Sequence, residues 1–198
     1  MIRILMLVCT CLAMMSCDQQ PKHLSARGYV EWMKSSENGY VKSREMMDVV
    51  FTVFRQTKEY REALAITRQV ETPSVKPHRE ENEQYILRIS PREGSVPLLE
   101  RMAKNESEYL GLMEYFNTKF REDISIENGN GTEQTTPIAF QCVPNYRTAP
   151  YLEFVFAFDI KNTSETQKIA INDVVFGNGP IYFTFKSNTQ PLLIRERQ

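Results

Sequence analysis

The chain has 198 residues, with 24 Lys and Arg against 25 Asp and Glu, a formal net charge of -1. This balance excludes a protein whose main partner is nucleic acid, because phosphate binding draws on a basic excess. Hydrophobic residues make up 41% and aromatics 11%, too rich for a disordered chain and enough to bury one core of ordinary size.

Arg3 is followed by an apolar run from Ile4 to Met15, then by Ser16, Cys17 and Asp18. One cation ahead of a short apolar stretch is the layout of a secretory signal peptide; the alternative is a buried N-terminal strand or helix. As a helix the run would span about 18 Å, short of the roughly 30 Å hydrocarbon core of a bilayer. Ser16-Cys17 followed at once by Asp18-Gln19-Gln20 resembles the lipobox of bacterial lipoproteins. Met14 and Met15 stand where that pattern favours Leu and a small residue. The resemblance implies cleavage before Cys17 and acylation of Cys17, hence attachment to the outer membrane through lipid. Three long acyl chains hold far more firmly than the single marginal one, at about 0.8 kcal/mol per buried CH₂. Residues 1–16 are then signal peptide, 17–25 the lipidated Cys and a tether, and 26–198 a single domain. Cys9 and Cys11 leave with the signal, so Cys142 remains alone and forms no intramolecular disulfide. Asp18 is one acidic residue where surface-export tags of Bacteroidota lipoproteins carry more, which favours the periplasmic face over the cell surface.

Residues 26–36 place Tyr29, Val30, Trp32 and Met33 on a helix face with Ser25 as N-cap, although a strand fits nearly as well. Glu37-Asn38-Gly39 is a turn signal. Tyr40 to Met46 and Val49 to Gln56 read as a hairpin around Met47-Asp48, and the second strand is apolar on both alternations. Thr57 caps a helix carrying Tyr60, Ala63, Leu64, Thr67 and Val70 at spacings of three and four. Residues 71–83 read as a charged surface loop, and Tyr85 to Ser90 as a strand that Pro91 ends. Asn105 with Glu108 has capping-box spacing ahead of a stripe of Tyr109, Leu112, Met113, Phe116 and Phe120. Residues 125–137 are a loop or hairpin tip. Four apolar runs follow: Ile138 to Val143, Tyr151 to Ile160, Ile169 to Phe176 and Ile181 to Lys186. Their spacing predicts an antiparallel meander, with Leu152, Phe154, Phe156, Phe158 and Ile160 on a face covered by helices. The fold class expected is α+β: an antiparallel sheet, from this meander and the N-terminal hairpin, with two or three helices packed on one face.

Tyr29-x-Glu31-Trp32 with Glu37-Asn38-Gly39, then Thr148-Ala149-Pro150-Tyr151, then Val174-Val175-Phe176-Gly177-x-Gly179-Pro180 resemble small, uncharacterised lipoproteins of Bacteroidota. Ser35-Ser36 replaces the frequent Asn-Pro of that family. These motifs are turn and core residues, so the resemblance implies an envelope location and carries no activity with it.

The residues point to no catalytic centre. His23 lies in the tether and His78 in a proline-flanked loop, both surface positions. Cys142 alternates with Ile138 and Phe140, as a small buried hydrophobe does. Glu80, Glu81 and Glu83 read as a charged loop, Glu127 to Glu133 as a solvated turn rather than a calcium loop, and Gly177-x-Gly179 lacks the third glycine of a nucleotide fingerprint. No cofactor or metal is expected. Tyr146, Arg147 and Tyr151 form a candidate binding loop, because Tyr and Arg are enriched at binding hot spots. The expected protein is non-enzymatic: a lipid-anchored envelope component, structural or accessory, with a protein partner. A ligand- or glycan-binding lipoprotein is the alternative, and an envelope hydrolase the third. A concave pocket would favour ligand binding, and an open sheet edge an accessory role.

Overall fold

The computed structural model describes residues 23–68, 83–127, 134–144, 148–159, 166–186 and 191–193. The N-terminal elements are β1 (His23–Leu24), α1 (Ala26–Lys34), β2 (Val41–Met46), β3 (Val49–Gln56) and α2 (Lys58–Arg68). The central ones are β4 (Glu83–Pro91), α3 (Leu98–Met102), α4 (Glu106–Glu114), β5 (Ile124–Glu127) and β6 (Gln134–Thr135). The last are β7 (Ala139–Val143), β8 (Leu152–Phe158), β9 (Thr166–Asp173), β10 (Gly179–Lys186) and β11 (Leu192–Leu193). The fold is α+β: two antiparallel sheets with helices packed against them.

Local chemistry places the N-terminal elements. Ser25 Oγ accepts from the Gly28 amide at 3.3 Å, so α1 starts where a side-chain acceptor satisfies a free N–H. Asn38 Nδ2 donates to the Trp32 carbonyl at 2.8 Å, and Gly39 leaves the turn at φ +82°. The β2–β3 hairpin forms with the expected register, Met46 opposite Val49. Met47 at its tip takes φ +47°, the left-handed conformation that tight hairpin turns demand and apolar residues resist. Thr57 Oγ1 accepts from the Tyr60 amide at 3.2 Å and starts α2.

The first sheet has the order β2-β3-β4-β8-β7 and the second β10-β9-β5-β6. Both bury one face in a shared core. Phe51, Val53, Tyr85, Leu87, Phe154 and Phe156 come from the first sheet, and Ile124, Ile169, Ile171, Ile181, Phe183 and Phe185 from the second. Over the β3–β4 side the second sheet closes the core, with the Phe185 ring 5.8 Å from Tyr85. Over the β8–β7 side a helical segment does so. There α4 runs into a wider turn, Tyr115–Lys119, and Phe116 and Phe120 pack on Phe154 at ring distances of 5.7 and 4.8 Å. The four C-terminal runs are therefore two hairpins, β7–β8 in the first sheet and β9–β10 in the second. The reason is valence: β8 is already bonded by β4 and β7, so β9 pairs with β5 instead.

A smaller core forms on the opposite face of the first sheet. Tyr29, Val30 and Met33 of α1 pack with Tyr40, Tyr60 and Ala63, and the Tyr60 ring meets Phe54 edge-on at 4.8 Å. His23 and Leu24, expected in the tether, form β1 and pair in parallel with Leu192 and Leu193. Glu83, expected in a surface loop, is the first residue of β4.

Candidate functional site

Strand alternation determines what the outer face of the first sheet shows. With Phe51 and Val53 turned inward, β3 presents Thr52, Phe54 and Gln56 outward. The register sets Thr52 beside Arg88, Arg88 beside Glu153, and Phe54 beside Ile86. Helices α1 and α2 cover the Phe54 end of this face and leave a groove of about 680 Å³ beside them. Val41, Phe54, Leu64 and Ile86 make its apolar surface, Thr52, Gln56, Ser90 and the buried Tyr60 add polar groups, and Lys34, Arg68, Arg88 and Glu153 are its charges.

These charges are unequally committed. Glu153 Oε2 accepts from both Arg88 Nη2 (2.6 Å) and Nε (3.0 Å), and the Arg88 guanidinium lies 4.1 Å from the Tyr151 ring centroid. Lys34 ends α1 and Arg68 ends α2, and neither forms an ion pair among the described residues. Burial pushes the Tyr60 phenol above its usual range while the Arg68 charge pulls it back. Gln56 is 8% exposed, and its side-chain amide has no hydrogen-bond partner among the described residues although it lines the groove.

Tyr151, the sequence candidate, holds a position between two cavities. One face carries Arg88, and the residue also lines a small apolar pocket of about 150 Å³ between α3, α4 and the β7–β8 hairpin. Leu98, Leu99, Tyr109, Met113 and Cys142 complete most of that wall. Burial raises the Cys142 thiol, which keeps it protonated and suits a packing role. Cys17, Tyr146, Arg147 and His78 lie outside the described residues.

A buried polar cluster ties the two sheets at the far end of β3 and β4. Arg55 grips Glu83 with Nη2 to Oε1 at 2.5 Å and Nε to Oε2 at 2.7 Å. The Tyr85 hydroxyl sits 2.9 Å from Glu83 Oε2 and 2.6 Å from Gln167 Oε1 on β9, while Gln167 Nε2 is buried without a hydrogen-bond partner among the described residues. Burial works against ionised Glu83, but the Arg55 bonds overcome it and hold its carboxyl below the usual range. The cluster joins strands of both sheets, a structural clasp.

Sequence reasoning missed the groove. Its residues span Lys34 to Glu153, and only the strand register brings them together. One signal pointed to it: the apolar outward residues of β3, Val50 and Phe54, which imply a second cover on that strand. Among the described residues no group of His, Cys, Asp and Glu is placed to hold a metal ion. Comparison of the chain with protein-family models, with curated proteins and with solved structures returned no match in any of the three.

Proposed function

We propose that the protein is a non-enzymatic binding lipoprotein of the cell envelope, held through acylated Cys17 on the periplasmic face of the outer membrane. The observation that carries the binding role is the groove over the first sheet. Its volume falls in the range of small-ligand sites, and it joins an apolar surface to polar groups, the combination that gives affinity and orientation together. The lining holds hydroxyls and cations, and its carboxylate, Glu153, is engaged by Arg88.

A second reading, an accessory subunit that docks through a sheet edge, has its own support. The eight-residue β10 is an edge strand of the second sheet, with Tyr182 42% exposed on its outer side. Crosslinking in intact cells separates the two. A photoreactive residue at Ser90 in the groove captures the ligand on the binding reading; one at Tyr182 captures a protein on the accessory reading.

A further inference from the structure

We infer that the groove takes a small amphipathic anion: an apolar chain ending in a carboxylate or phosphate. This rests on the reading of the groove as the binding site. Three cations and one carboxylate line it, and the carboxylate is already spent on Arg88, which leaves Lys34 and Arg68 without an ion-pair partner among the described residues. Beside them, Phe54, Leu64, Val41 and Ile86 offer an apolar bed, the half of the site that an alkyl chain would cover. Gln56 supplies the orienting group. Its side-chain amide lines the groove and makes no hydrogen bond to another described residue, so it is free to bond a ligand head group. A volume of about 680 Å³ is in the range of small-molecule sites.

The test uses the full lipidated protein in phosphatidylcholine vesicles. Four diazirine probes with one common chain are irradiated in turn: dodecanoate, dodecyl phosphate, dodecanol and dodecyltrimethylammonium. Peptide mapping reads labelling at Leu64 and Ile86 relative to labelling at Tyr182. An anionic probe should label the groove about tenfold more than the alcohol or the cation, and the preferred head group names the carboxylate or the phosphate. The exposed-site double variant Lys34→Gln/Arg68→Gln should bring the anion down to the alcohol's level, while Lys34→Arg/Arg68→Lys should retain it, with unfolding curves confirming an intact fold for both. Equal groove labelling by alcohol and anions overturns the inference and leaves the groove as a binding site. Absence of groove labelling by all four probes overturns both.

Discussion

Arg55 and Glu83 are each more than four-fifths withdrawn from solvent and bonded through two nitrogens and two oxygens. A buried pair of this kind adds modest net stability, but removing one partner strands the other charge. Glu83→Gln should therefore cost about 3 kcal/mol in urea unfolding at pH 7. The pH dependence has a defined sign. The folded-state pKa of Glu83 lies below its unfolded value, so its contribution is present above the unfolded value, about 4.3, and is lost as pH falls through the folded one. The wild type should thus lose more stability than Glu83→Gln between pH 5 and the acid limit of folding; parallel curves would contradict the clasp. Asp173 is buried differently. Its carboxylate accepts from the amides of Val175, Phe176 and Asn178 and from the Asn178 side chain, shaping the turn in which Gly177 and Gly179 take positive φ. Asp173→Asn puts a donor where acceptors are needed and should cost about 2 kcal/mol by thermal or urea unfolding.

Between elements, local chemistry was readable and partnership was not. The caps of α1, α2 and α4 were visible as Ser25, Thr57 and Asn105, and the Asn105 side chain does accept from Glu108 N at 3.0 Å. The hairpin of β2 and β3 was visible because its turn is two residues long. That β9 leaves β8 for β5 was not visible, since alternation reports that a face is buried without saying whether a helix or a sheet buries it. Glu83 was misplaced for a related reason: a carboxylate at the end of a charged run reads as solvated until Arg55 from another strand meets it. Phe156, 1% exposed, stacks on Tyr85 at 5.7 Å and meets Phe158 edge-on. Phe156→Ala should cost about 3–5 kcal/mol in urea unfolding. A loss below about 1 kcal/mol would remove this strand from the core.

At the scale of the whole molecule, no helix among the described residues is long and apolar enough to cross a membrane, and the attachment proposed is covalent lipid on Cys17. Cys17→Ala should abolish fatty-acid labelling and move the protein out of the membrane fraction; unchanged labelling and fractionation would refute the anchor. The most direct test of the binding claim replaces Ser90 with benzoylphenylalanine in the full-length protein and irradiates living cells, with the same replacement at Tyr182 for comparison. Mass spectrometry should find a small-molecule adduct at position 90 and none at 182. A protein adduct at 182 with position 90 unmodified would contradict the account and make the β10 edge the working surface.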